Sequence, residues 1–285
     1  MDIADLKVFK AVADHGGVIA AAQHLHRVPS NVTARLQKLE TDLDAQLFRR
    51  EKNRLHITPS GKTLLSYANQ ILTMAQEARQ SVQQQAPSGE LRLGCMEAVA
   101  ASRMANILVE FHNTYPDVRL NVLTKPTGDL IEAVLAGDLD VAFVADKPKS
   151  SELVAKPIFR EDLVLVAAKN LGPIKKPADL GDDPVALGFT TRCAYRNRLT
   201  RWLKTPGKVM EMNSYHTILN CVIAGMGVGL VPQTLVDQYP FKSSLATHEL
   251  PKSLATSITH VIWRKDQTLL SVDAFFKCAK QFEDL

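Results

Sequence analysis

Apolar residues recur at spacings of three and four along the first turns of the chain. Ile3, Leu6, Phe9 and then Val12 or Ala13 form the stripe of an amphipathic helix, which the Gly16-Gly17 pair ends. VIAAAQHL follows as a short second helix whose alanines permit close approach of a neighbour, and His26, Arg27 and Val28 make a tight turn. Pro29 suits the first turn of a third helix, where a missing N–H costs nothing. There Val32, Leu36, Leu39 and Leu43 fall on one side at about 100° per residue, a buried seam. LFRREKNRLHIT then reads as two short strands around a Glu51-Lys52-Asn53 turn, with Leu55 and Ile57 inward and Arg54, His56 and Thr58 outward. Together these elements predict an N-terminal winged helix-turn-helix, all-α apart from its wing, over residues 1–58.

The pattern changes twice more. From 58 to 85 the chain reads as one long helix with Leu64, Tyr67 or Ala68, Ile71, Ala75, Ala78 and Val82 on one face, and no breaker follows Gly61. At 1.5 Å per residue it extends about 35 Å, and its apolar seam calls for a partner, either a second copy or the chain's own following domain. APSG at 86–89 breaks it. The boundaries are therefore a linker helix over 59–86 and a further domain over 87–285. There strands such as LRLG, VRLNVL, DVAFVA, DLVLVAA, VALGF and ITHVIW alternate with helices near 99–115 and 128–136, the pattern of an α/β fold with mainly parallel sheets. CVIAGMGVGLV at 221–231 reads as buried loop and strand, too short and glycine-rich for a membrane span.

Composition narrows the function classes. Apolar residues make up 46% and charged ones 22% of 285, which excludes broad disorder and leaves room for two or three cores. The net charge of +4 is too small to imply a nucleic-acid partner by itself. Its distribution says more. RREKNR at 49–54 clusters four basic residues at the wing, and the outer side of the third helix carries Ser30, Asn31, Ala34, Lys38 and Thr41, with Arg35 on its flank and no acid until Glu40. That short, polar, basic surface suits a groove between phosphate chains. MDIADLKVFK lacks the basic and apolar regions of a signal peptide, and four scattered cysteines without a CxxC pair fit neither a disulfide framework nor a zinc module, so the cytoplasm is the expected compartment. No P-loop, HExxH, GxSxG or strand-linked GxGxxG is present, and His24 with His26 is a poor metal pair. Neither an enzyme, nor a metal, nor a cofactor is expected.

LKVFKAVADHGGVIAAAQHLH, LQKLETDLDAQLFRR and HITPSGKTLL resemble the helix pair, recognition-helix exit and wing of the LysR-type transcriptional regulators. GDLDVAFV and CVIAGMGVGLVP resemble that family's effector-binding domain, itself similar to periplasmic solute-binding proteins. The resemblance implies a two-lobed periplasmic-binding-protein-like α/β domain, with lobe one over 90–161 plus 266–285 and lobe two over 162–265. It also implies a linker-helix dimer, a homotetramer, double-stranded DNA and a small-molecule effector as partners, with RNA polymerase beside them, and no membrane. One departure falls at the centre: VPSNVT stands at 28–33 where the family commonly has Ser-Gln-Pro-Ala-Val-Ser.

The candidate residues follow. Ser30, Asn31, Thr33 and Ala34 are expected to face bases, and Arg35, Lys38, Arg49, Arg50, Lys52 and Arg54 to contact phosphates. In open α/β sheets ligands bind beyond the carboxyl ends of strands, often at helix N-termini. This rule, with matching family positions, selects Cys95, Met96, Glu97, Thr127, Gly128, Thr191, Arg192, Cys193, Ser214, Tyr215 and His216 as effector contacts, with capping or core filling as the alternative for each. Arg192 and His216 favour a carboxylate and Glu97 an ammonium group. Two other readings stay open: a solute-binding protein without DNA function, and a redox sensor using Cys193 or Cys221.

Overall fold

A computed structural model describes residues 1–51, 54–83, 86–204 and 208–285. The chain divides into two compact units, Met1–Ala86 with Ala136–Asp138, and Pro87–Leu135 with Leu139–Leu285.

In the first unit, α1 (Ile3–His15) begins at a capping box in which Asp2 and Asp5 each accept the other's backbone N–H, and it ends at Gly16 in the left-handed region. α2 (Val18–His24) presents Ala21 and Ala22 inward, as the small residues predict. α3 (Pro29–Asp42) starts with its proline in the first turn and buries Val32, Leu36 and Leu39. Leu43 does not join that seam, because the helix stops at Asp42 and Leu43 lies exposed at its C-cap. β1 (Phe48–Glu51) and β2 (Arg54–Ile57) pair antiparallel with Phe48 opposite Ile57, and the Phe48 ring meets Phe9 of α1 at 5.4 Å. Glu40 of α3 accepts the N–H groups of Leu47 and Phe48 at 2.7 and 3.2 Å, which ties the wing to the third helix.

α4 (Pro59–Gln83) is capped by the Thr58 hydroxyl, which accepts the Gly61 N–H at 3.0 Å. Thr58 therefore works as a helix cap and not as an outward strand residue. The expected single seam of α4 splits into two faces. Leu65, Ala68 and Leu72 pack on the unit's own core, whereas Tyr67, Ile71 and Met74, spaced for one stripe, remain exposed.

The second unit contains β3 (Gly89–Cys95), α5 (Glu97–Ser102), α6 (Met104–Thr114), β4 (Val118–Thr124), α7 (Thr127–Ala136), β5 (Val141–Ala145) and the long β6 (Leu153–Ala168). Then come β7 (Val185–Gly188), α8 (Ala194–Leu203), β8 (Lys208–Glu211), α9 (Tyr215–Ile223), β9 (Val228–Pro232), α10 (Gln233–Gln238), β10 (Leu245–His248), α11 (Lys252–Ala255), β11 (Thr256–Arg264) and α12 (Leu270–Lys280). The helix expected near 99–115 is two, broken at Arg103. The stretch from Cys221 begins as the last turn of α9 rather than as loop.

The strands run in the order β4-β3-β5-β11-β6-β9-β7-β8, with β10 on β6. β3 pairs parallel with β4 and β5, and β7 parallel with β8 and β9. Every pairing of β6 and β11 is antiparallel. β6 pairs with β11 through Asp162 and with β9 from Leu163, so this one strand runs through both halves of the sheet. β11 pairs with β5 over Thr259–Ile262, so the return to the first half falls at about 256, ten residues before the expected 266.

Candidate functional site

In the first unit the polar side of α3 is solvent-facing at Ser30, Asn31 and Ala34, with Thr33 half-buried and its hydroxyl turned back to the Pro29 carbonyl. Arg27, not singled out by the sequence because it lies in a turn, reaches Asn31 Oδ1 at 3.3 Å and extends this surface. Arg35 and Lys38 sit differently from the expectation of free phosphate contacts. Arg35 donates to Asp5 Oδ1 at 2.9 Å, and Lys38 Nζ to Asp5 Oδ2 at 3.0 Å; Asp2 lies 3.9 Å from each cation. The face that looked free of acids along the helix acquires them from the start of α1. Burial pushes the Asp5 carboxyl up, but the hydrogen bonds from Lys38 and Arg35 outweigh it and hold the group below its ordinary value; the same contact raises Lys38. At the wing, Arg49 and Arg50 are exposed, with Arg49 3.3 Å from Glu51. Arg54 stands opposite Glu51 in the strand register, and Lys52 lies outside the described residues.

In the second unit a cavity of about 250 Å³ opens where loops after β3, β4, β7 and β8 converge. Met96, Glu97, Thr127, Cys193 and Tyr215, all expected, line it. Glu97 accepts the Tyr215 N–H with both oxygens, at 3.1 and 3.0 Å, and so occupies the N-terminus of α9. Burial pushes the Glu97 carboxyl up, more than the Tyr215 N–H, the Ser214 hydroxyl and the nearby His216 pull it down. Thr127 donates to Met96 Sδ and accepts the Ala145 N–H, and so fixes the floor.

The other six candidates do not line the cavity. Cys95 is fully buried, its thiol pushed up to about 12 by burial. Gly128 and Arg192 form a latch beside the cavity. The Gly128 N–H donates to the Arg192 carbonyl at 3.0 Å and the Arg192 guanidinium donates back to the Gly128 carbonyl at 2.7 Å. The same guanidinium pairs with Asp129 at 2.9 Å and with Glu132. Arg192 is thereby neutralised rather than offered to a ligand anion. Thr191 is exposed and its carbonyl accepts from Asn197, Ser214 stands at the N-cap position of α9 with its hydroxyl toward Glu97 rather than toward the helix N–H groups, and His216 packs its ring on Tyr239 at 5.3 Å.

Sequence reasoning missed Thr124, Lys125, Pro126, Asp129, Phe189, Thr190, Ala194, Tyr195 and Asn213 in the lining. Thr124 ends β4 and Lys125 follows it, ahead of the helix start at Thr127 that the strand-end rule selects. Phe189 and Tyr195 resemble core residues in any apolar pattern: Phe189 was read as strand but follows the end of β7, and its ring meets Tyr215 edge-on at 4.9 Å.

Beside the cavity, Arg198 of α8 donates to both Asp146 oxygens at 2.7 Å and to the Thr256 carbonyl at 2.6 Å. Asp146 follows β5 with φ 60, and Ser257 also donates to it. This clamp joins α8 to the ends of β5 and β11.

Comparison with known proteins agrees with both units. Residues 3–62 match the model of bacterial regulatory helix-turn-helix proteins of the lysR family, and residues 84–283 match the LysR substrate binding domain. The chain is 36% identical over 276 residues to the uncharacterized HTH-type transcriptional regulator YusT of Bacillus subtilis, covering 95% of this chain and 92% of that one. It is 35% identical over 271 residues to the HTH-type transcriptional regulator GltR of the same organism, covering 93% and 91%. Among solved structures, full-length OxyR of Pseudomonas aeruginosa superposes with a TM-score of 0.77 at 19% identity, over 98% of this chain and 95% of that one. CbnR in complex with its target DNA superposes at 0.66 and 23%, over 99% and 100%. At these identities the structural likeness shows the fold.

Proposed function

Because the chain belongs to the LysR family of HTH-type transcriptional regulators, we propose that its α3 reads the major groove of an operator while the cavity beside Glu97 holds the effector that controls it. Ser30, Asn31, Thr33 and Ala34 face the bases; Arg27, Arg49, Arg50, Lys52 and Arg54 meet phosphates; Arg35 and Lys38 chiefly set the angle of α3 through Asp5. The observation that carries this reading is α3 itself. It buries Val32, Leu36 and Leu39 and leaves a polar, uncrowded tip in the solvent, beside a wing that adds exposed arginines.

The exposed Tyr67, Ile71 and Met74 stripe of α4 supports a dimer through that helix, with two α3 tips on half-sites about 34 Å apart. A pair of such dimers is the proposed tetramer. We assign 1–58 to DNA, 59–86 to the linker and 87–285 to the effector domain, with the second lobe running from 162 to about 256. An effector that prefers one lobe arrangement shifts how the dimers hold DNA, and hence access of RNA polymerase, only through a difference in affinity between the two arrangements. Nuclease protection of the DNA flanking the gene is the test. A twofold protected segment at modest salt is expected, and none at any salt would remove the reading.

A further inference from the structure

The proposed effector cavity leaves its ligand's charge open. The lining of the cavity argues for one sign. Glu97 lines the cavity and, among the described residues, has no lysine or arginine within ion-pair distance; its partners are the neutral Tyr215 N–H and Ser214 hydroxyl, with His216 nearby. A carboxylate has about four acceptor positions, so these donors leave capacity on the cavity side. Tyr195 lines the same cavity on a side chain only 2% exposed; its hydroxyl lies beside Ser257, whose oxygen can accept from it while donating to Asp146.

The rest of the lining fits the same occupant. Phe189 and Tyr215 meet edge-on and, with Tyr195 and Met96, provide aromatic and thioether walls that favour an organic cation and an apolar body. The other lining acid, Asp129, is already held by Arg192. The one lining base, Lys125, is exposed. An anionic ligand would share the cavity with the Glu97 carboxylate, and like charges at close range repel. The volume of about 250 Å³ lies just below the ~300–1,000 Å³ of ordinary small-molecule sites, so the ligand is small.

We propose that this cavity recognises a small organic amine in its ammonium form, with Glu97 as the counter-charge and an apolar or aryl body against Phe189 and Tyr215. The proposal rests on the reading of the cavity as the effector site and names its ligand class.

Calorimetric titration of the full-length protein with phenethylamine, phenethyl alcohol and phenylpropionate tests it, since the three share an aryl body and differ in charge. The amine binds at least tenfold more tightly than the alcohol, and the carboxylate binds most weakly. Glu97→Gln keeps an oxygen for the Tyr215 N–H and removes the charge. It lowers amine affinity tenfold or more and brings amine and alcohol level. The proposal is overturned if the carboxylate binds as tightly as the amine, if Glu97→Gln leaves amine affinity unchanged, or if none of the three binds. The ranking of the three probes on the unaltered protein stands even if a variant fails to fold. Nuclease protection run in parallel separates the two readings: protection without amine binding sinks this proposal alone, and amine binding without protection sinks the regulator reading alone.

Discussion

Asp5 of α1 accepts a hydrogen bond from Lys38 of α3 at 3.0 Å, so this buried carboxylate ties the first helix to the one proposed to read DNA. Arg35 joins it from the same helix at 2.9 Å. Because Asp5 is held below the ordinary carboxylate value, its stabilising effect is fully present above that value and is lost as the pH falls through its lower folded value. Asp5→Asn should cost about 1 kcal/mol at neutral pH, below the range for buried charged hydrogen bonds, since both cations are partly solvated. Denaturant unfolding of both proteins at pH 7 and at successively lower pH measures it. The gap between them narrows below about pH 4; a gap constant across that range would mean that the ion pairs contribute nothing.

The same relationship separates the cations by their work on DNA. Arg50 is exposed and Lys38 is already engaged by an acid. Each phosphate neutralised contributes roughly 0.9 to the slope of log affinity against log salt. Arg50→Ala should therefore lower that slope by nearly one unit. Lys38→Ala should lower it by less, while also reducing affinity through a displaced helix. Fluorescence anisotropy across a salt series checks both, and equal slopes for Arg50→Ala and the parent protein would place the wing off the DNA.

How much of this was legible beforehand depends on whether a pattern is local. The helices of the first unit follow from periodicity and caps, and the α3 seam at Val32, Leu36 and Leu39 appears in the burial as in the spacing. What sequence could not show was a partner some thirty residues away. Asp5 looks like an ordinary first-turn acid until α3 is laid across it. Arg192 looks like a ligand for an anion until Gly128, Asp129 and Glu132 close around it. In the cavity, Met96, Glu97, Thr127, Cys193 and Tyr215 were legible from strand ends and helix starts, whereas Phe189 and Tyr195, whose apolar character is that of core, became visible only when the loops met. ITHVIW is legible as a strand, but alternation says nothing about which strand is its neighbour, and β11 pairs with β5 of the first half.

Gly61 provides a test of how the wing is seated on α4. A β-carbon there would lie 2.2 Å from the Leu47 carbonyl oxygen and 2.7 Å from Ile57 Cγ1. That oxygen cannot step aside freely, because it accepts the Thr58 N–H at 3.0 Å and lies 3.2 Å from the Thr58 hydroxyl. Gly61→Ala should destabilise the first unit by about 1–3 kcal/mol, the range for forced overpacking. It should also weaken operator binding, because the displaced segment carries Arg49 and Arg50. Thermal unfolding and anisotropy measure the two effects, and an unchanged melting temperature would show that the segment has slack.

The thiol beside the cavity decides between a ligand sensor and an oxidant sensor. Cys193 forms the N-cap of α8, a place that can lower a thiol, yet burial pushes it up more than the Arg196 and Tyr195 N–H groups and the Arg196 charge pull it down. Since the thiolate is the form that attacks peroxide, a raised Cys193 should be less reactive at pH 7 than an unhindered thiol, whose ordinary value is about 8.5. Iodoacetamide labelling of the folded protein, read by mass spectrometry, should therefore modify Cys193 more slowly than free glutathione. Cys193→Ser, which supplies a hydroxyl N-cap, should leave operator binding and its modulation intact. Labelling faster than glutathione, together with loss of the response in that variant, would transfer the sensing role from Glu97 to the sulfur.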